Sequence, residues 1–184
     1  MKLFSHNFKF KQIICLFFYY SVAYYLPDSY SRLGFIPNKL RCFLVSHIFK
    51  KCGKITTINR RVDFGSGFEI EMGDNSGIGC NVHLPSDTKI GNNVMVGRYS
   101  FILRQNHAFN RLDIPINEQG DLPPKQTIIE DNVWIGLGCY LTPGRHIKSG
   151  TVVGMGSVLT KDFPENSIVG GNPAKLIRSR GFND

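Results

Sequence analysis

The chain has 184 residues, 42% of them apolar, and carries 22 Lys and Arg against 14 Asp and Glu for a net charge of +8. That length fits one domain with an N-terminal extension. Its five cysteines are odd in number and show no C-x-x-C spacing, so they build no paired disulfide framework and suit a reducing compartment.

The charge is concentrated at the start. Residues 1–61 contain eleven Lys and Arg against the single acid Asp28, and thirteen of the twenty-two aromatic residues lie in the same stretch. Basic and aromatic composition together point to a nucleic acid or an anionic membrane surface. The chain carries no nucleic-acid motif, and the aromatics sit in apolar runs, so contact with an anionic membrane is the expectation. The uncharged run Ile13 to Leu26 would span roughly 21 Å as a helix at ~1.5 Å per residue, short of a hydrocarbon core of ~30 Å. Tyr24-Tyr25-Leu26-Pro27 makes a poor cleavage site. The run reads as an uncleaved helix ending before Pro27, lying in the membrane interface or packed on the oligomer. A second helix is expected from Pro37 to Lys51, with Leu40, Phe43, Leu44, His47 and Ile48 as its apolar face, either capping the first coil of the main domain or meeting the membrane. Residues 1–54 are thus read as a helical extension and 55–184 as the main domain.

From Met72 onward an aliphatic residue recurs every sixth position in two registers: Met72, Ile78, Leu84, Ile90, Val96, Ile102, then Ile129, Ile135, Leu141, Ile147, Val153, Leu159. Glycine follows it in half of these hexads, and a small or β-branched residue stands four positions later in nine. A period of six fits neither a helix nor a single strand. A short strand plus a turn, repeated, gives it, which is the signature of a parallel β-helix. The glycine is expected where the backbone turns and a Cβ would clash. Between the registers, Ile102 to Ile129 is not a multiple of six, so a loop of about residues 104–126 leaves the coil path. Long loops in compact domains are usually functional. After Leu159 the rhythm stops, and SIVGGNPAKLIRSR reads as a last strand, a Gly-Gly turn and a short basic helix.

The segments IGNNVMVG, NHAFN, NVWIGLGCYLTPG and VVGMGSVLTKDFPENSIVGGNPAKLIR resemble the hexapeptide-repeat acyltransferases, in particular the branch that O-acetylates sugars and cell-surface polysaccharides. The resemblance covers about residues 55–180. It implies a mainly β fold, a left-handed parallel β-helix, with assembly as a homotrimer and acetyl-CoA as co-substrate. Two departures stand out. Arg145 and Lys148 occupy hexad positions where the family has a small aliphatic residue and glycine, which puts the coil there in doubt. GRYS at 97–100 replaces a G-P-N type of turn and bears on the acceptor.

Acetyl transfer from a thioester to a hydroxyl needs mainly one positioned general base, contributing about 10²–10⁴-fold. Histidine suits the task at neutral pH. Of His6, His47, His83, His107 and His146, the resemblance carries to His107 alone, on the loop upstream of NVWIG and directly after Asn106. Its orienting partner is open, with Asp113, Glu118 or a backbone carbonyl as candidates. The resemblance further implies acceptor or pantetheine contact for Trp134, against plain packing, and coenzyme A contact for Thr160, Lys161 and Arg178, with Lys175 and Arg180 in the same basic end. No metal is expected: a three-histidine zinc site would need His83, His107 and His146 to converge, and no closely spaced pair exists. The predicted activity is O-acetylation of a sugar in capsule, exopolysaccharide or O-antigen synthesis, in the cytoplasm or at the inner face of the membrane. Acetylation of serine or an antibiotic, and a non-catalytic trimeric scaffold, are the competing readings.

Overall fold

The computed structural model describes residues 10–181; His6, Lys2 and Lys9 lie outside them. From Lys51 the chain winds into a three-sided parallel β-helix whose sides are built from strands mostly two residues long. Side A stacks β1 (Lys51–Cys52), β3 (Glu71–Met72), β5 (Lys89–Ile90), β8 (Ile128–Ile129) and β11 (His146–Ile147). Side B stacks β2 (Thr57–Ile58), β4 (Gly77–Ile78), β6 (Met95–Val96), β9 (Trp134–Ile135), β12 (Val152–Val153) and β14 (Ser167–Gly171). Side C stacks β7 (Phe101–Ile102), β10 (Tyr140–Leu141) and β13 (Val158–Leu159), continued through single bridges to His83 and Asp63.

The six-residue rhythm is the core. All twelve rhythmic aliphatic residues are buried, none more than 4% exposed, and so are the nine small or β-branched residues four positions on. The two positions are coupled by hydrogen bonds between coils. Ser76 Oγ donates to Gly91 O at 2.7 Å, Ser100 Oγ to Gly136 O at 3.2 Å, and Cys139 Sγ to Gly154 O at 3.2 Å. Each bond joins the inner small residue to the glycine after the next coil's aliphatic residue, so buried carbonyls at the corners are satisfied.

The turn itself falls elsewhere than expected. The glycine following the aliphatic residue is needed because of close approach: a Cβ on Gly79 would meet Arg98 N at 2.7 Å, and one on Gly136 would meet Met155 N at 2.6 Å. The left-handed backbone lies two positions later, at Asn75, Asn81, Asn93, Asn132, Gly138, Gly144, Gly150 and Gly156. Asparagine and glycine tolerate that conformation best.

Three other expectations are corrected. The coil starts at Lys51, inside the segment read as extension, because β1 pairs with β3 in register Cys52↔Met72. Partners there are twenty residues apart against eighteen in Met72↔Ile90, and the two extra residues throw the first coil out of phase with the rhythm. The short C-terminal helix is absent. Ala174–Ser179 is instead a strand, β15, antiparallel to β14 after the turn at Gly170–Pro173, and it covers the last edge of side B. Arg145 and Lys148 leave the coil regular: β11 pairs with β8 in the ordinary register, Arg145 reaches Asp162 at 3.3 Å, and Lys148 reaches Glu130 at 3.5 Å.

Ahead of the coils, α1 (Phe10–Phe18) runs into a wider π-helical turn, Tyr19–Ala23, and α2 (Phe35–Ile48) follows. The second helix begins two residues before and ends three before the expected bounds, and its buried face is Arg41, Leu44, Val45 and Ile48, rotated from the predicted one. Phe43 and His47 point outward. Arg41 causes the rotation. It is fully buried and donates to Ile58 O (2.6 Å), Ala23 O and Leu26 O (both 3.3 Å) and Pro27 O (3.1 Å). One cation thereby satisfies the carbonyls at the end of the first helical segment, where the helix dipole is negative. Asn38 pairs with Thr56 O and Ile58 N, so α2 caps the open end of the first coil. Tyr19, Ala23 and Cys15 pack inward, with Tyr19 Oη bonded to Val62 O at 2.9 Å. The opposite side of α1 and its π-helical continuation is apolar and exposed: Phe10, Ile13, Ile14, Phe17, Phe18 and Val22.

Candidate active site

The chain departs from the coil at the corner between sides C and A. Partners Lys89↔Ile128 are 39 residues apart where eighteen is the rule, so twenty-one residues are extruded. They fold back as a two-stranded ribbon: Leu122 N donates to Asn106 O (2.8 Å), Ala108 N to Gly120 O (2.9 Å) and Lys125 N to Arg104 O (2.8 Å). Asp87 anchors both ends, accepting from Arg104 Nε through its carboxylate and from Gln126 Nε2 through its carbonyl. Gln119 closes the tip by bonding Arg111 and Ile114.

This ribbon sets His107 against Asp121, a bridge pair, with Nδ1 2.8 Å from Asp121 Oδ1. A carboxylate on Nδ1 holds the proton there and leaves Nε2 with its lone pair outward, the arrangement a general base requires. The imidazole is 75% exposed, open to an approaching molecule. Neither of the partners weighed from sequence fills the role. Asp113 is bound by Arg111, and Glu118 lies in a short 3-10 turn. Asp121 was not legible because its meeting with His107 depends on ribbon pairing across thirteen intervening residues.

Asn106 lies at the edge of a small cleft of about 140 Å³ with Leu122, Pro123, Lys125, Thr142 and Pro143. Thr160 and Lys161 follow β13 at the same corner, two coils further on, with Lys161 Nζ 5.6 Å from the Phe163 ring centre. Trp134 is elsewhere. It projects half-exposed from side B in a groove of about 320 Å³ that also holds Tyr30, Met95 and Arg98. Arg178 lies on β15 opposite Ile168, beyond side B, and Arg180 is committed to Gly150 O at 2.7 Å. Thr160 and Lys161 thus leave side C at the corner from which the ribbon bearing Asn106 and His107 departs, two coils away, whereas Trp134 and Arg178 lie on side B.

Two further described histidines are engaged. His83 is stacked on Phe101 (4.3 Å, 12°) and lies 3.3 Å from Asp63; His146 is 2.6 Å from Glu130. His83, His107 and His146 do not converge, and among the described residues no three ligating side chains group together. Burial raises the pKa of Cys42, Cys80 and Cys139 and pushes Cys52 up to about 11, which disfavours the nucleophilic thiolate at these four.

The family described as "Bacterial transferase hexapeptide (six repeats)" matches residues 69–104. A galactoside O-acetyltransferase of Lactococcus lactis is 30% identical over 78% of this chain and 62% of its own length. A putative lipopolysaccharide biosynthesis O-acetyl transferase, WbbJ, of Escherichia coli is 32% identical over 66% of each chain. The hexapeptide-repeat acetyltransferase VCA0836 of Vibrio cholerae, solved with acetyl coenzyme A, superposes with a TM-score of 0.71 at 25% identity, over 92% of this chain and 85% of that one. The chain belongs to the hexapeptide-repeat acetyltransferases. It spans about three fifths of the length of the curated relatives it matches.

Proposed function

We propose that this protein transfers the acetyl group of acetyl-CoA to a hydroxyl of a sugar destined for cell-surface polysaccharide, with His107 as general base. The observation that carries the reading is the His107–Asp121 pair on an exposed, braced ribbon. His107 Nε2 takes the proton of the acceptor hydroxyl as its oxygen attacks the thioester carbonyl. Asp121 holds Nδ1–H and stabilises the imidazolium that forms. The tetrahedral intermediate then expels the coenzyme A thiolate, which is protonated, and the acetyl ester leaves on the sugar. Lys161, with Thr160, and Arg178 suit the phosphates of coenzyme A, and Asn106 and Trp134 the acceptor. VCA0836 with acetyl coenzyme A supports the donor, and the galactoside and lipopolysaccharide relatives support the acceptor class.

The separation of His107 from Trp134 fits a closed homotrimer in which each site draws on two copies. The outward rows support it. Side A presents Lys51, Glu71, Lys89, Ile128 and His146, whereas side B presents Thr57, Gly77, Met95, Trp134, Val152 and Ile168, and side C presents Asp63, His83, Phe101, Tyr140 and Val158. Sides B and C become apolar toward the later coils while side A stays mostly charged, which suits a three-fold assembly with side C of one copy against side B of the next. The exposed apolar stripe of α1 beside Lys11 supports contact with the inner face of an anionic membrane. No described helix is long and apolar enough to cross one.

His107→Ala tests the assignment. Turnover of acetyl-CoA with a sugar acceptor falls by about 10²-fold or more while coenzyme A binding persists. Turnover within a few-fold of wild type, as His47→Ala should give, refutes it.

A further inference from the structure

The groove that holds Trp134 is basic in a way neutral sugar recognition does not need. Arg98 forms part of its wall, with the guanidinium carbon 4.4 Å above the Tyr30 ring centre. Arg98 also lines an adjoining cleft of about 260 Å³ with Asp28, Arg60, Arg61 and Tyr99. The cleft thus gathers three arginines and one acidic residue. Asp28 Oδ1 is taken by the backbone N–H of Tyr30 at 3.0 Å, and none of the three arginines forms an ion pair among the described residues. Arg60 Nε is enclosed and makes no hydrogen bond of its own, so no protein carbonyl or carboxylate ties down that guanidinium through Nε.

The backbone adds an independent sign. At the left-handed corner position where most hexads carry Asn or Gly, this wall carries Tyr99, with φ of 59°, and on an earlier coil Arg61, with φ of 54°. Bulky residues are disfavoured there, and such strain gathers at binding sites. Tyr99 follows Arg98 directly, so the strained turn sets where that arginine leaves the coil.

We propose that the acceptor is a phosphate-bearing sugar, its phosphate or diphosphate held by Arg98 with Arg60 and Arg61 behind it. Stacking on Tyr30 fixes the guanidinium plane and leaves its N–H edge for a bidentate contact with phosphate oxygens. Three cations against one acid match the two negative charges of a diphosphate better than the single charge of a sugar carboxylate. The proposal rests on the acetyltransferase reading, in which Trp134 faces the acceptor. A nucleotide and a lipid carrier present the same diphosphate, so the chemistry named is the phosphate itself.

Calorimetric binding to the full chain, without acetyl-CoA, tests this with methyl glycosides, glucuronate, sugar 1-phosphates, UDP-sugars and short prenyl-diphosphate sugars in the gluco and galacto series. Phosphate-bearing members bind at least about 10-fold more tightly than the neutral glycosides, and added salt narrows the gap. Arg98→Gln removes most of that preference, Arg98→Lys part of it, and Lys89→Gln on side A none. Tyr30→Leu, at an exposed position, repeats the loss should Arg98→Gln melt early. Neutral glycosides within 2- to 3-fold of the phosphates, glucuronate ahead of them, or a preference intact in both Arg98→Gln and Tyr30→Leu overturns the proposal. Acetylation assays on the same panel show whether nucleotide- or prenyl-linked sugar is consumed. Arginine-dependent phosphate binding with no acetylation of any sugar sinks the enzymatic reading and leaves the phosphate site standing. Acetylation of neutral glycosides without phosphate preference does the reverse.

Discussion

Replacing Asp121 by Asn isolates what the carboxylate does for His107. The two side chains keep their shapes, but the amide can present an N–H to Nδ1, which favours the proton on Nε2 and removes the lone pair that must accept the acceptor hydroxyl's proton. In an enclosed triad the same change costs about 10⁴-fold in kcat. Here Asp121 is half exposed and His107 75% exposed, so water can replace the lost acceptor and the full penalty is not reached. A charge-assisted hydrogen bond contributes about 1.5–3 kcal/mol, which corresponds to a fall of roughly 10- to 150-fold in kcat. The interaction strengthens as charge develops on the imidazole, so the loss belongs in kcat, with the KM for acetyl-CoA unchanged. Thiol release measured with Ellman's reagent at saturating acetyl-CoA reads both constants. Asp121→Ala should lie within a few-fold of Asp121→Asn, and Asp113→Asn should resemble wild type. A kcat for Asp121→Asn within 2-fold of wild type, in protein that melts normally, refutes the pairing as a catalytic device.

Sedimentation should give a mass of about three times the 20.7 kDa chain, and an active monomer would remove the case for a site shared between copies. Vesicles containing anionic lipid should bind the protein with a salt-sensitive part from the basic residues and a salt-resistant part from α1; Phe10→Ser with Phe17→Ser should abolish only the latter. Deleting residues 1–26 is a poor test, since Tyr19 and Ala23 belong to the core. The Glu130 carboxyl is held down to about 2 by the Ser149 hydroxyl and amide, with burial opposing and His146 and Lys148 assisting. Its folded pKa is depressed, so its contribution is present above about pH 4.5 and is lost as pH falls toward about 2. Discounted for solvent screening, that contribution is about 1 kcal/mol. Glu130→Gln should therefore melt below wild type at pH 7, with the gap narrowing below about pH 4.5 and closing only as pH nears about 2, and a gap that stays constant over that range contradicts the assignment.

The repeat was legible because every coil reuses one local solution. Met72 to Leu159 each point inward for the same steric reason, and a pattern repeated twelve times outweighs any single ambiguous residue. The first coil carries the same chemistry at Cys52, Ile58 and Phe64, yet two extra residues around Gly65–Gly67 put it out of phase, and the rhythm could not reach it. The last segment failed for a different reason. AKLIRS has no strong preference of its own, and the unpaired edge of β14 decides its state. In α2 a hydrophobic-face argument places arginine outside, whereas four carbonyls converging on one point draw Arg41 inside. Each miss is a tertiary demand that no window of sequence contains.

The candidate site divides along the same line. His107 was legible from its place on a loop that breaks the period, because extrusion from a regular coil is itself a local event. Asp121 was not, because a ribbon must close before the two meet. The GRYS departure at 97–100 was legible as an irregularity, but its sense came only with Tyr30, which the helical extension delivers over side B to lie under Arg98. That contact gives the extension a second task beyond capping the first coil. Arg41 ties the end of the first helical segment, through Ala23, Leu26 and Pro27, to Ile58 on side B, and so fixes the start of the Asp28–Gly34 loop that carries Tyr30. The basic-aromatic composition of residues 1–61 is therefore partly structural: Arg41 and Tyr19 are spent on packing, whereas Tyr30, Arg60 and Arg61 remain at the groove walls where an acceptor would be read.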